Sequence, residues 1–490
     1  MKKILIATLL LVAMIVNVFA LASCTPTGTG GGGNVDGTQG YDGSEVTITF
    51  YHTMSATNLQ PELNKAIERF NALYPNITIE HTQVGDYDAV RDQIKNELTV
   101  GAQPNIAYCY PDHVAMYRTA KKVIVLDDLI NSTVTVNRAN GTTEIMGLTA
   151  EQKADFIEGY YNEGKAFGDD KMYTMPFSKS TEVLYYNKTA FDGWAAEYAK
   201  TGDEKYNIKV PTTWDEMEDT CRKIKALEPL STPLGYDSEA NWFITMCEQY
   251  GSAYTSATKV NGTNFLFNNE TNWNFVQRFA QWHANGWVTT KELNGGAYTS
   301  KLFTLAEDEA GKSYMSIGSS AGATNQAPTK VNDVYPFEVA ITTVPQINKN
   351  APKVISQGPS VCLFESDNIQ EVYASWLFVK FLTTDVQFQA GFSMASGYVP
   401  VIKSVSENPA YKTFLANAKG DKSGIAALSA KVCLEQADAY YVSPAFKGSS
   451  KARDEVGLLM QGCFTDYQTA TDKLDMIKKK FAAAIEECEY

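Results

Sequence analysis

Hydrophobic residues between positions 46 and 110 follow two spacings in turn. They alternate with polar residues where a half-buried strand is expected, and they recur every three or four positions where an amphipathic helix is expected. The strand-like stretches lie at 46–50, 77–79 and 105–110, and the helical stretches at 63–73 and 90–98. Pro75 ends the first predicted helix, and Gly101 and Pro104 end the second. This β-α-β-α-β order predicts an α/β fold with a parallel sheet and helices on its faces.

The remaining chain shows shorter patterns. Residues 131–147 are polar and contain the turn signal Asn140-Gly141, which predicts a surface excursion. Two short strands are predicted at 172–176 and 183–186, and a helix is predicted at the C-terminal end. The apolar face of that helix is formed by Leu474, Ile477, Phe481, Ile485 and Cys488.

The N-terminal residues have the pattern of an export signal. Two lysines precede an apolar run over 4–21, and small residues then lead to Cys24. A retained transmembrane helix is the alternative, since the run approaches the length that spans a bilayer. The segment around Cys24 resembles the lipobox of bacterial lipoproteins, which implies a signal peptide over 1–23, lipidation of Cys24 and anchoring on the outer face of the cell membrane. Residues 24–44 include a glycine run and predict a flexible tether.

The composition limits the partners of the chain. It has 490 residues and a formal net charge of −14, and removal of residues 1–23 would make that charge two units more negative. Such a charge argues against nucleic acid and anionic lipid as partners. The length exceeds what one hydrophobic core usually holds, so two large lobes are expected.

Seven cysteines follow Cys24, and none of them forms a CxxC pair. This spacing excludes the common zinc and redox motifs, so neither a metal nor a cofactor is expected. An odd number of cysteines leaves at least one free thiol. We therefore expect small, buried apolar residues, with a single disulfide as the open alternative.

Two catalytic patterns match as strings but lack residues that their chemistry requires. Residues 318–322 fit the GxSxG motif of serine hydrolases, which needs a histidine downstream. All four histidines precede this motif, so the triad cannot be completed in that order. Residues 159–165 spell GxxxxGK, but Ala166 stands where a P-loop needs a hydroxyl group to hold magnesium. The chain is therefore predicted not to be an enzyme.

A series of short segments, in this order, resembles a known family. The segments are TFYHTM (49–54), IERFN (67–71), NIA (105–107) ahead of Asp112, MPFSKST (175–181), LYYNK (184–188), PTTWDE (211–216) and SGYVPV (396–401). Together they are similar to the extracellular solute-binding proteins that serve maltose, other oligosaccharides and glycerol-3-phosphate. The resemblance extends over nearly the whole chain that follows the predicted signal.

The resemblance implies an α/β, two-lobe fold like that of periplasmic binding proteins, with strand crossovers and a cleft between the lobes. Lobe one would comprise 45–176 and 358–399, and lobe two would comprise 177–357 and 400–490. The implied function is that of the ligand-binding component of an ABC importer. Such a monomeric receptor captures a small carbohydrate in its cleft and delivers it to the transmembrane subunits of a permease.

Candidate ligand contacts come from two lines of reasoning. Tyr51, His52 and Asp112 lie at predicted strand ends, where loops and helix starts supply polar groups to a cleft. The resemblance implies contacts from Asp88, Ser180, Trp242, Ser320, Gly358 and Tyr398. Each has a structural alternative: Trp242 and Tyr398 as packing residues, Asp88 as a helix N-terminal charge, and His52 as a histidine satisfied at the lobe edge.

One departure bears on the type of ligand. The glycerol-3-phosphate member of the family has an arginine after a Phe-Thr-Lys-Gly stretch, whereas here two serines follow Phe446-Lys447-Gly448. Lys451 or Arg453 is a possible substitute, but a bidentate phosphate contact is not assured. An uncharged carbohydrate is therefore favoured over glycerol-3-phosphate or another phosphate ester, and a secreted glycan-active enzyme is the less favoured alternative.

Overall fold

The computed structural model describes residues 35–489. The predicted signal peptide, the lipidation site Cys24 and most of the predicted tether lie outside the described residues, and they stay predictions. Within the described chain, no helix is both long enough and apolar enough to cross a membrane.

The described chain alternates strands and helices. The strands are β1 (Val46–His52), β2 (Ile77–Gln83), β3 (Ile106–Cys109), β4 (Thr135–Asn137), β5 (Thr143–Ile145), β6 (Met175–Pro176), β7 (Ser180–Asn187), β8 (Leu234–Tyr236), β9 (Thr255–Val260), β10 (Thr263–Phe265), β11 (Val288–Thr290), β12 (Met315–Ser319), β13 (Val339–Thr342), β14 (Val354–Gln357), β15 (Ser360–Leu363) and β16 (Tyr440–Tyr441). The α-helices are α1 (Gln60–Leu73), α2 (Tyr87–Val100), α3 (Pro111–Tyr117), α4 (Asp127–Asn131), α5 (Ala150–Asp155), α6 (Glu158–Asn162), α7 (Lys188–Thr201), α8 (Trp214–Leu227), α9 (Glu239–Tyr250), α10 (Glu270–Ala284), α11 (Ser300–Phe303), α12 (Ile369–Thr384), α13 (Val386–Ser396), α14 (Pro409–Ala416), α15 (Ile425–Glu435), α16 (Ser449–Asp466) and α17 (Lys473–Glu489).

The first lobe is built on a five-stranded sheet in the order β2-β1-β3-β15-β6. Strand β1 pairs in parallel with both β2 and β3, which confirms the β-α-β-α-β prediction. Helices α1 and α2 connect these strands, because parallel neighbours need a crossover connection. Strand β15 arrives from much later in the chain and pairs antiparallel with β3 and β6.

The second lobe is built on a larger sheet whose central strand is β7. Strands β12, β13 and β14 all pair antiparallel with β7, and β8 joins β12 in parallel. Helices α9, α10, α16 and α17 pack together in this lobe. Ile477, Phe481 and Cys488 of α17 are buried there, as the apolar face of the predicted C-terminal helix requires.

The chain passes between the two sheets at closely packed segments. Strand β6 lies in the first sheet and β7 in the second, with residues 177–179 between them. Gly358 separates β14 from β15, and its φ of +89° is in the left-handed region that favours glycine. A Cβ atom there would lie 2.5 Å from the carbonyl oxygen of Ser178, so the close approach of these segments also requires glycine. The residue boundaries proposed for the lobes stay a prediction.

Residues 131–147 form a surface excursion with an exposed turn at Asn140-Gly141, as predicted. They contain the antiparallel hairpin β4-β5, which is anchored because Val136 is buried in the core and Glu144 pairs with Lys380. One sequence expectation needs correction. Residues 35–44 are not free tether, because Val35 and Tyr41 are buried against the first lobe. The polar and glycine-rich composition of both segments concealed these few anchoring side chains.

The seven cysteines after Cys24 are all buried and unpaired, as expected for small apolar residues.

Candidate functional site

A cavity of about 290 Å³ lies where helix starts and strand ends of the two lobes meet. This position follows the rule that ligands of open α/β sheets bind beyond the carboxyl ends of the strands. Polar and aromatic side chains of the first lobe form one wall: Tyr87, Asp88, Arg91, Tyr110, Asp112 and His113. The second lobe contributes the facing wall, which includes Tyr254, Gln357, Ser443, Ser449, Arg453 and Asp454.

Local sequence signals place these side chains. The carboxylate of Asp86 accepts a hydrogen bond from the backbone N–H of Ala89 and so caps α2, whose first turn carries Tyr87 and Asp88. Tyr110 follows β3 directly, and Pro111 begins α3 with a ring that suits the first position of a helix. Helix α16 starts after Gly448, whose φ is +103°. The helix N-termini at the cavity add partial positive charge to it.

Arg91 spans the two walls of the cavity. Its guanidinium lies 2.9 Å from carboxylate oxygens of Asp88 and Asp92 on its own helix. It also lies 3.4 Å from Oγ of Ser450 and 4.0 Å from a carboxylate oxygen of Asp454, both on α16. Burial raises the pKa of Asp454, and Arg91 opposes that rise. Arg91 is thus a charged side chain that contacts both walls.

Arg453 is the second guanidinium of the cavity, and its surroundings differ. It donates a hydrogen bond to Oδ1 of Asn241, and among the described residues it has no carboxylate partner within 4.0 Å. Nδ2 of Asn241 donates to Glu182 across 2.8 Å, and the hydroxyl of Tyr236 donates to the other oxygen of Glu182 across 2.5 Å. Arg453 therefore keeps N–H donors that no described acid occupies.

Neutral aromatic groups supply much of the first wall. The rings of Tyr87 and Tyr110 are 4.8 Å apart, and Tyr110 lies 5.5 Å from His113. Burial raises the pKa of both tyrosines well above their ordinary value and lowers the pKa of His113. At neutral pH these three groups are uncharged and offer hydrogen bonds and ring faces rather than charge.

A buried ion pair connects the cavity to the crossover segments. Glu163 lines the cavity and pairs with Lys179, which is fully buried. The Lys179 ammonium group also donates to the carbonyl oxygen of Gly358 across 3.2 Å and to Oγ of Ser360 across 3.0 Å. Each charge is therefore paired and hydrogen-bonded, as a buried ion pair requires.

The structure brings some of the predicted contact residues to the cavity. Asp88 and Asp112 are part of its lining. Tyr398 lies behind Tyr87, with the two hydroxyl oxygens 3.2 Å apart. Gly358 directly follows the lining residue Gln357 and serves the close approach of the crossover segments.

The other predicted contacts are placed elsewhere. The prediction that Trp242 contacts the ligand is corrected, because Trp242 is a core residue. It is 0% exposed and stacks on Tyr236 with the ring centroids 4.7 Å apart. His52 is also buried, and its ring nitrogens are satisfied by His81 at 3.0 Å and by the backbone N–H of Met54.

Three further predicted contacts have structural partners instead of a place in the cavity lining. The Tyr51 hydroxyl donates to Glu97 across 3.3 Å. Ser320 Oγ accepts from the backbone N–H of Thr181 across 3.2 Å, and Ser180 is buried where β7 pairs with β14. A serine that satisfies a backbone donor cannot be distinguished by sequence from a serine that contacts a ligand.

Sequence reasoning did not select several cavity residues. Arg91 could have been noticed from its spacing of three residues after Asp88, which favours an ion pair on one helix face. Arg453 was named as an alternative phosphate contact, and it lines the cavity, whereas Lys451 pairs with Glu455 and is not among the lining residues. Nothing in the local sequence places α16 opposite α2.

Comparison with known proteins gives one family. A sequence profile described as "Bacterial extracellular solute-binding protein" matches residues 65–419, which is more than half of the chain. The sn-glycerol-3-phosphate-binding periplasmic protein UgpB of Escherichia coli O1:K1 is 28% identical over 190 residues, which cover 37% of this chain and 36% of that protein. The chain thus matches about a third of the length of this curated relative.

Solved structures with the same fold cover nearly all of the described chain. UgpB from Mycobacterium tuberculosis, in complex with glycerophosphocholine, has a TM-score of 0.66 at 15% identity and covers 91% of this chain and 99% of its own. The maltose/maltodextrin-binding domain MalE from Bdellovibrio bacteriovorus, bound to maltotriose, has a TM-score of 0.61 at 16% identity. The match covers 90% of this chain and 99% of the MalE chain. At such low sequence identity, these structural similarities show a shared fold and nothing further.

Proposed function

The chain belongs to the family of bacterial extracellular solute-binding proteins, and from that membership we propose that it is the ligand-binding component of an ABC importer for a small carbohydrate. In this proposal the cavity between the lobes captures the sugar, and the loaded receptor delivers it to the transmembrane subunits of a permease. The receptor acts as a monomer on the outer face of the cell membrane, held there by a lipid on Cys24.

The observation that carries the proposal is the chemistry of the cavity walls. Carboxylates of Asp88 and Asp112 accept hydrogen bonds from sugar hydroxyl groups, and the Arg453 guanidinium donates to hydroxyl and ring oxygens. Tyr87 and Tyr110 offer flat faces for the apolar side of a sugar ring. A cavity with several convergent polar groups suits a polyhydroxyl ligand, since each net hydrogen bond contributes only about 0.5–1.5 kcal/mol.

Closure around the ligand follows from the position of the cavity. A ligand that contacts both walls binds the closed arrangement better than an open one, so binding shifts the balance between them. Arg91 contributes to the closed arrangement, because its contacts with Ser450 and Asp454 exist only when α2 and α16 are close. The tether to the membrane leaves the body free to move between open solvent and the permease.

The class of ligand is tested by thermal unfolding of the purified mature protein with glucose, maltose, maltotriose and glycerol-3-phosphate. A ligand at 100 times its dissociation constant adds about 2.7 kcal/mol to the unfolding free energy, which gives a clear rise in melting temperature. We expect at least one sugar to give that rise, and Asp112→Ala to remove it. A rise with glycerol-3-phosphate alone would overturn the carbohydrate proposal.

A phosphate ester is the second candidate, and Arg453 is the observation that favours it. A guanidinium without a carboxylate partner at the cavity suits a phosphate group. The curated relative named above is described as a glycerol-3-phosphate-binding protein. Against this candidate, Asp88, Asp112 and Asp454 add negative charge to the same walls, which would repel an anion.

A further inference from the structure

The hydrogen bonds behind Arg453 form a continuous series that leads away from the cavity. We call Asn241, Glu182 and Tyr236 the Glu182 network. Neither Asn241 nor Glu182 lines the cavity, and they are 3% and 2% exposed. Asn241 contacts both Glu182 and Arg453, and among the cavity residues its side chain is hydrogen-bonded to Arg453, so we take any influence on a ligand to pass through that guanidinium.

We propose that Glu182 and Asn241 are positioning residues that hold the Arg453 guanidinium at the cavity, and so help to determine which oxygen-rich group the site accepts. The proposal rests on the proposed function only in taking the cavity as the ligand site. It assigns a role to two buried polar residues of the second lobe that do not touch the ligand themselves.

The Asn241 amide lies between the Glu182 carboxyl group and the Arg453 guanidinium. An amide group has an acceptor end and a donor end of nearly equal shape, and its orientation is set by its partners. The Nδ2 group of Asn241 donates to Oε1 of Glu182 at 2.8 Å, and its Oδ1 atom accepts from Arg453. A guanidinium has only donors, so Arg453 requires the Oδ1 end of the amide, and Glu182 holds that orientation by accepting from the other end.

Further contacts hold the Glu182 network in place. Tyr236 occupies the second oxygen of Glu182, and Gln436 donates to the backbone carbonyl oxygen of Glu182 across 3.0 Å. The backbone N–H of Asn241 donates to Oγ of Ser238 at the start of α9, across 3.2 Å. These bonds leave the amide little freedom, so the Arg453 side chain, which lines the cavity, has an acceptor in a fixed position.

The test measures the reactivity of Arg453 in the full protein without any ligand. Phenylglyoxal modifies free guanidinium groups, and peptide mass spectrometry reports its rate at Arg453 and, in the same sample, at Arg91. We expect Asn241→Leu and Glu182→Leu to raise the modification rate at Arg453 roughly tenfold, because the loss of one hydrogen bond to a charged group corresponds to about that factor. The modification rate at Arg91 should not change, because Arg91 is paired with Asp88 and Asp92 and not with the Glu182 network.

Glu182→Gln is the conservative variant. Its side-chain oxygen still accepts from Asn241 and its amide group can donate to Tyr236, so we expect the rate at Arg453 to return close to the wild-type value. Asn241→Ser serves as the second variant if Asn241→Leu does not fold. An unchanged rate at Arg453 in folded variants, or an equal rise at Arg91, would overturn the positioning role, whatever ligand the protein binds.

A second readout uses maltose and glycerol-3-phosphate as probes in calorimetric titrations. If Asn241 acts through Arg453, then Arg453→Met should weaken binding roughly tenfold, and the double variant Arg453→Met/Asn241→Leu should be no weaker. Additive losses would show that Asn241 acts by another route. Failure of both probes to bind would count against the proposed function, while the phenylglyoxal rates would still decide the positioning role.

Discussion

Replacing Glu182 with glutamine removes a carboxyl group from the interior of the second lobe, and we expect this to change how stability depends on pH. The side chain is 2% exposed, and burial raises its pKa from 4.5 to about 7 despite hydrogen bonds from Tyr236 and Asn241. In the folded protein the group therefore keeps its proton to a higher pH than in the unfolded chain.

The direction and magnitude of this pH dependence follow from the difference in proton binding between the folded and unfolded states. Below pH 4.5 Glu182 is protonated in both states, and its contribution to stability is fully present. As the pH rises from 4.5 to about 7, the unfolded chain loses this proton first, so the free energy of unfolding falls. A shift of this size corresponds to about 3 kcal/mol. The Glu182→Gln variant has no such proton. Its free energy of unfolding should therefore rise relative to that of the wild type by about 3 kcal/mol between pH 4.5 and 7.

The assay is urea denaturation of both proteins at several pH values from 4 to 8, followed by circular dichroism. Glu435→Gln is the matched control, because it removes an exposed carboxylate and reports the effect of net charge alone. The reasoning is refuted if the difference in unfolding free energy between Glu182→Gln and the wild type is the same at every pH.

Three further outcomes are expected. Trp242→Ala should lower the unfolding free energy by about 3–5 kcal/mol, because it removes a fully buried ring, while the folded variant still binds sugar; a normal urea midpoint with lost binding would return Trp242 to the ligand site. Cys24→Ser should move the protein from the membrane to the soluble fraction, and retention on membranes after a salt wash would count against lipidation. Saturating sugar should reduce the radius of gyration in solution scattering, and an unchanged radius would exclude closure of the lobes.

The part of the fold that local periodicity encodes was predictable. Alternation at Val46, Ile48 and Phe50 and the helical repeat of Leu63 and Phe70 mark apolar faces, and the structure buries them in a parallel sheet covered by helices. Strand β15 was beyond such reasoning, because it joins the first sheet from more than 250 residues after β3. Pairing over that distance depends on the complete fold.

The site was predictable only in part, for a similar reason. Asp88 and Asp112 belong to helix starts next to predicted strands, and the structure places both in the cavity lining. Arg453 faces them from a helix more than 300 residues later, and no local pattern fixes that approach. Trp242 was misplaced because α9 is buried on most of its sides, so the helical pattern does not reveal which side faces a cleft.

The central claim is that a sugar binds between the two walls of the cavity, and a calorimetric titration of one sugar against matched variants tests it most directly. The sugar is the one that gives the largest thermal shift, and the variants are Asp112→Ala on the first-lobe wall and Arg453→Met on the second. We predict one binding site per wild-type molecule, and a loss of affinity of about tenfold or more in each variant without a change in its urea midpoint. Binding of unchanged affinity in both variants would contradict the account, because the ligand would then lie elsewhere.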